Sequence, residues 1–172
     1  MPRVGASEDS ILIVRTCLAN SLTRLGRNEQ ASNMLRDVYS GRVRLNGEEH
    51  IETITAALNY AGTLCCLKRF KEAKSLMRKP VLVSRRILGE SNATTLTVRW
   101  SYAQALYLDT GATFDDLREA INTLEEIEPT ARRVLGGAHP LTAEIEPTLQ
   151  NARSKLASFD ALSEGVRDLS VS

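Results

Sequence analysis

The sequence predicts an all-α fold: a right-handed α-solenoid of about three helix pairs, followed by a C-terminal capping helix. Three observations lead there. First, the chain repeats itself with a step of 42 residues, seen at Ala19, Ala61 and Ala103, at Ala31 and Ala73, and at Gly5, Gly47 and Gly89. After one 5-residue insertion the third unit continues in phase, because Ala73 to Ala120 and Gly89 to Gly136 are both steps of 47. Self-similarity at a fixed period marks units that stack to share one core. Second, apolar residues inside each unit recur at helical spacing. Third, Leu, Ala, Arg and Glu dominate, only 5% of residues are aromatic, and no Val/Ile/Thr run alternates as a strand would.

The elements follow in order. Met1–Ser7 is a leader at a repeat junction, because Gly5 is in phase with the inter-repeat glycines. Repeat 1 spans 8–46, repeat 2 spans 51–88 and repeat 3 spans 94–135. The second shows the pattern best. Ile54, Ala57, Leu58, Ala61, Leu64 and Cys65 form one helical stripe, Lys68-Arg69 breaks it, and Ala73, Leu76, Met77, Val81 and Ile87 form the next. Gly89 then stands where a left-handed cap favours glycine. Thr53 and Thr95, six residues after their glycines, are candidate helix caps. The alanines at Ala19/Ala31 and Ala61/Ala73 lie 12 apart and let paired helices approach closely.

Pro80 and Pro129 fall inside second helices and predict bends there, since proline removes an amide donor and crowds the carbonyl four residues back. The insertion at Thr110–Phe114 lengthens one turn, with Phe114 expected to cover an edge of its repeat. A capping helix is expected over 141–157, with Pro147 kinking it or marking its first turn. The tail 158–172 carries Leu162, Val166 and Leu169 at amphipathic spacing, open to either a short helix or a frayed end.

Three stretches carry a resemblance to a known family. Phe70-Lys71-Glu72-Ala73-Lys74, Arg85-Arg86-Ile87-Leu88-Gly89 and Val134-Leu135-Gly136-Gly137-Ala138-His139-Pro140-Leu141-Thr142 resemble the kinesin-light-chain type of tetratricopeptide repeat. The junction recurs at Gly47–Thr53 and in degenerate form at Gly89–Thr95. The resemblance covers about residues 5–150 and implies a scaffold whose first helices line a concave face that binds protein. It implies groove positions at Thr16, Asn20, Thr23 and Arg24, then Thr55, Asn59, Gly62 and Cys66, then Thr97, Trp100, Ser101, Gln104 and Tyr107. Amide side chains there suit a peptide backbone, having both donor and acceptor. Trp100 and Tyr107 would be apolar anchors with a polar edge, or Trp100 would pack between neighbouring first helices. Only Arg24 fits a carboxylate clamp.

Composition excludes other classes. Net charge is +1, so no global field drives the chain to nucleic acid or membrane. Eight basic residues between Lys68 and Arg86 oppose one acid, and six acids between Asp115 and Glu128 oppose Arg118; the expectation is mutual attraction of exposed helices rather than a nucleic-acid patch. No apolar stretch approaches the ~20 residues of a membrane span, and residues 1–10 lack the layout of a secretory signal. Cys17, Cys65 and Cys66 give neither zinc spacing nor an even disulfide count, which points to reduced thiols in the cytoplasm. His50 and His139 occupy one repeat phase, which argues for a turn role. No phosphate loop, nucleophile elbow or metal motif is present, so no catalysis, metal or cofactor is expected. The expected partner is a protein or peptide. The apolar run Ile11-Leu12-Ile13-Val14 opens the first helix and predicts an edge that meets a preceding repeat or a second copy of the chain.

Overall fold

The computed structural model describes residues 7–169, with side chains as far as Phe159. The leader 1–6, including Gly5, lies outside the described residues, as do the side chains of Leu162, Val166 and Leu169. Seven helices make up what is described: α1 (Glu8–Arg24), α2 (Asn28–Asn46), α3 (Ile51–Cys66), α4 (Phe70–Leu88), α5 (Ala93–Leu108), α6 (Phe114–Leu135) and α7 (Pro140–Leu169). The chain divides into two compact units, Met1–Ile87 and Leu88–Ser172. The fold is an all-α helical repeat.

In the first unit α2 packs against both α1 and α3. Ala19, Ala31, Ala61 and Ala73 are all at most 1% exposed, so the alanine register of the sequence is the register of closest helix approach. Leu35, Val38, Ile54, Leu64 and Met77 fill the space beside them. Gly41 of α2 meets Leu12 of α1, whose side chain lies 2.8 Å from where a Cβ would stand. In the second unit α6 packs against α5 and α7 around Leu96, Leu106, Leu117, Leu124, Ile127, Ile145 and Leu149, with Ala103 and Ala120 again fully buried.

The turns repeat as the helices do. His50 and Asn92 are the N-caps of α3 and α5, accepting from the backbone N–H of Glu52 and Thr94. His139 accepts from the Leu141 N–H in the same phase, at 3.2 Å. The cap is thus the residue three after each glycine. Thr53 and Thr95 are not caps: both are buried inside their helices. The Thr53 hydroxyl turns back instead, donating to the Gly47 carbonyl at 2.7 Å and satisfying an orphan acceptor at the end of α2.

Gly47, Gly89 and Gly136 have φ of 79°, 85° and 85°. At Gly47 and Gly136 ψ is 171° and 156°, so these are not left-handed helical caps but the extended positive-φ region that only glycine enters readily. Both α4 and α6 continue through their prolines, and Pro80 is buried within α4. Pro140 begins α7, and Pro147 falls inside it. Nothing between Ala157 and Leu169 breaks the backbone pattern, so α7 extends past the expected end at 157. The insertion before α6 becomes a capping box: Thr113 Oγ1 accepts from the Asp116 N–H, and the Asp116 carboxylate accepts from the Thr113 N–H. Phe114 packs on Phe159 of α7 with ring centroids 6.5 Å apart, and the Arg118 guanidinium sits 4.8 Å over its ring.

Candidate functional site

The first helices of the first two repeats, α1 and α3, frame a groove of about 220 Å3. From α1 it is lined by Ile13, Thr16 and Cys17, and from α3 by Ile51, Glu52, Thr55, Ala56 and Asn59. Arg42 of α2 closes it from below. Three residues expected from the resemblance therefore come together here: Thr16, Thr55 and Asn59. The repeat explains the lining. Cys17 and Asn59 share one phase, as do Ile13 and Thr55, so two positions recur on facing helices.

The groove is largely apolar with polar groups at set points. Thr16 donates its hydroxyl to the Leu12 carbonyl at 2.8 Å, and Thr55 does the same to Ile51 at 2.9 Å. Each hydroxyl proton is thus engaged within its own helix, and what remains for a ligand is the acceptor lone pairs. Asn59 alone among the three offers a donor as well. At one end, the side chain of Arg42 is 6% exposed and bonds the carboxylates of Asp9 and Glu52, the latter at 2.7 Å. Asn46 donates to the same Glu52 oxygen at 2.8 Å. One buried guanidinium so ties α1, α2 and α3 together, its Nη1 bonding both carboxylates.

The apolar run at the opening of α1 divides between three surroundings. Leu12 enters the core with Val38 and Ala56, Ile13 turns to the groove, and Ile11 and Val14 stay exposed on another side. Asn20, Arg24 and Cys66 are exposed outside the groove lining. The Thr23 hydroxyl lies 3.4 Å from that of Thr63 on α3.

In the second unit, Ser101 is buried, which removes it from any ligand-facing surface. Its phase is that of Cys17 and Asn59. Trp100 is half-buried, and its indole N–H is sequestered without an acceptor among the described residues. Gln104 and Tyr107 are half-buried. Burial pushes the Tyr107 phenol up, opposed by hydrogen bonds with Thr148 and Asn151 of α7. Lys155 donates to the carbonyls of Tyr107 and Asp109 at 2.7 and 2.6 Å, a cation placed on the orphan acceptors at the end of α5.

The basic run of α4 is answered within its own unit. Lys79 pairs with Glu48, Arg86 with Glu49, and Arg69 forks onto Glu72 at 2.6 and 2.7 Å. The acids of α6 reach Arg99 through Glu126 and Arg153 through Glu125. Among the described residues no cluster of His, Cys, Asp or Glu could hold a metal ion, and no helix is long and apolar enough to cross a membrane.

Paired helices, alanine contacts and capped junctions define a class, the α-helical repeat scaffolds that mediate protein–protein interaction and are typically non-catalytic. Within that class the chain is similar to tetratricopeptide repeat proteins of the kinesin-light-chain-like type. Residues 10–79 match the tetratricopeptide repeat family model. A structure of Podosopora anserina nearly identical TPR-like repeats, described as those of a kinesin light chain, is similar with a TM-score of 0.75 at 18% identity, covering 89% of this chain and 70% of that one. A single-substitution variant of the same protein gives 0.78 at 19%, covering 93% and 73%. BtubC (BKLC) from P. vanneervenii gives 0.59 at 16%, covering 95% and 67%. Among curated proteins, none matches the sequence.

Proposed function

We propose that this chain is a non-catalytic interaction module that holds an extended peptide segment of a partner protein in the groove between α1 and α3. The groove carries the reading, because it combines apolar side chains with acceptors spaced along a furrow. Ile13, Ile51, Ala56 and Cys17 suit an aliphatic side chain of the peptide. Thr16 and Thr55 accept from its backbone N–H groups, and Asn59 both accepts and donates. The fold's own carboxylates satisfy Arg42, so a terminal carboxylate is not the feature read. Trp100, Gln104 and Tyr107 are a second, lesser contact region of the same module.

A protein partner is favoured over nucleic acid because Glu48, Glu49 and Glu72 already answer three cations of the basic helix. Three free thiols suit a reducing compartment such as the cytoplasm. The test is to pan a displayed peptide library on the purified chain and measure the selected peptides by fluorescence anisotropy. Ile51→Glu and Asn59→Ala should each weaken binding by about tenfold or more, while Arg24→Ala, outside the groove, should leave it unchanged. Selected peptides whose affinity ignores both groove variants would overturn the reading.

A further inference from the structure

The second unit carries its own version of the α1/α3 groove, and the repeat register locates it. Two repeat steps, allowing for the insertion, carry Thr16 and Cys17 of α1 onto Trp100 and Ser101 of α5. They carry Ala56 and Asn59 of α3 onto Ile145 and Thr148 of α7. The counterpart furrow therefore runs between α5 and α7, which touch within that unit. It is shut where the first is open. Cys17 is exposed and Asn59 half-buried, whereas Ser101 and Thr148 are 5% and 4% exposed.

Two large side chains of α5 stand where α1 carries threonine. Trp100 takes the position of Thr16, and Tyr107 that of Thr23. The Tyr107 phenol is hydrogen-bonded to Thr148 and Asn151 of α7. The position that offers an amide to a peptide in the first groove is thus taken here by the chain itself. The Trp100 indole is half-buried, and its N–H edge is out of water with no acceptor among the described residues. A tryptophan that anchors a ligand keeps that N–H for a polar partner. A ring whose N–H is buried unpaired is there for its volume, because an unmet donor persists only where apolar contact outweighs it.

We infer that Trp100 and Tyr107 are internal occupants of the α5/α7 furrow, and that these two side chains confine peptide binding to the α1/α3 groove. The inference rests on the reading of that groove as the peptide site. The lesser contact region around Trp100 and Tyr107 is then the rim of a filled furrow rather than a hollow. Specificity follows from side-chain size at two register positions. Threonine leaves the furrow open to a partner, and an aromatic ring closes it from within.

Trp100 is the sole tryptophan, so the intrinsic fluorescence of the full chain reports on it alone. Acrylamide should quench it well below the level reached in urea; equal quenching would overturn the proposal. Trp100→Ala should empty the furrow, and free indole is the probe of the space it leaves. With helical circular dichroism retained, this variant should bind one more indole than the wild-type chain by titration calorimetry. Trp100→Phe keeps a ring and drops the N–H, so it should gain no indole site and should unfold at a higher temperature than Trp100→Ala. An alanine variant that gains no indole, or a phenylalanine variant equally unstable, would sink the idea of an internal occupant. Thr16→Trp tests the rule from the other side: it should close the first groove and weaken the panned peptides by about tenfold or more. Peptides that respond to Ile51→Glu yet ignore Thr16→Trp would overturn the closure rule. If Trp100→Ala loses its helical signal, the quenching and Thr16→Trp measurements decide. Peptides indifferent to both Ile51→Glu and Asn59→Ala defeat the groove reading alone, since quenching and indole uptake involve no peptide.

Discussion

Replacing Lys68 with glycine should stabilise the protein, and the reason lies in the repeat register. Gly26 and Lys68 are 42 residues apart, and each sits in the turn between the two helices of its repeat with positive φ, 74° and 59°. Their hydrogen bonds are superimposable: Arg27 N–H to Leu22 and Arg69 N–H to Leu64, both at 2.9 Å, then Gly26 N–H to Thr23 and Lys68 N–H to Cys65, both at 3.0 Å. One backbone turn is thus made twice, once with the residue it favours and once without. A left-handed residue with a Cβ costs about 1–2 kcal/mol, and glycine's extra freedom in the unfolded chain returns about 0.5–1 kcal/mol of that. Lys68→Gly should therefore gain roughly 0.5–1 kcal/mol. At about 2–4 °C per kcal/mol for a chain of this size, the unfolding midpoint should rise by roughly 1–4 °C. Lys68→Ala separates backbone from charge, since it keeps the Cβ and loses the ammonium; it should be near neutral, the side chain being exposed. Gly26→Ala is the mirror experiment. A Cβ there meets nothing within 4 Å, so any loss is conformational rather than steric. Thermal and urea unfolding read all three, and a midpoint that falls or stays put in Lys68→Gly would refute the reasoning.

Two further outcomes follow from single atoms. Burial pushes the Cys65 thiol up to about 11, with Cys66 beside it acting in the same direction, against an ordinary value of 9.0. A raised thiol value means less thiolate, so at pH 8 Cys65 in the folded chain should alkylate about 100-fold more slowly than in urea. Peptide mass spectrometry locates the label, and equal rates in both states would show that Cys65 is not held as described. Thr53→Val removes a hydroxyl that satisfies the Gly47 carbonyl from inside the fold, and it should cost about 1–3 kcal/mol, read as a lower urea midpoint. An unchanged midpoint would mean that water replaces the bond.

The repeat made the fold legible, and the junctions show where that legibility ended. A period of 42 and the buried alanines at 19, 31, 61 and 73 locate the helices and the points at which they approach. Cap chemistry was harder to place. Thr53 looks like a cap because threonine favours that position. The true cap, His50, is an unusual residue for the role, and only its recurrence as Asn92 and His139 identifies it. Positive φ at Gly89 was readable from the glycine, whereas the extended ψ of its counterparts depends on how the chain enters the next helix. Lys68 was readable only through its repeat equivalent Gly26, since nothing in its own chemistry announces a left-handed residue.

The candidate site was half legible for a related reason. Periodicity fixes which residues share a phase, but a furrow between two helices is lined by different phases of each. Of the residues reached by counting from the alanine of their own helix, Thr16, Thr55 and Asn59 line the groove. Ile51 and Glu52 were missed because they lie a turn further toward the start of α3 than Thr55. Cys17 was in plain view, two residues before Ala19 as Asn59 is two before Ala61, yet a thiol draws attention to redox chemistry before surface. Ser101 shows the opposite error. It shares that phase, and burial excludes it, because what a phase presents depends on how far its helix is drawn into the core. In a degenerate repeat, register says which residues are equivalent, and packing decides which of the equivalents can be touched.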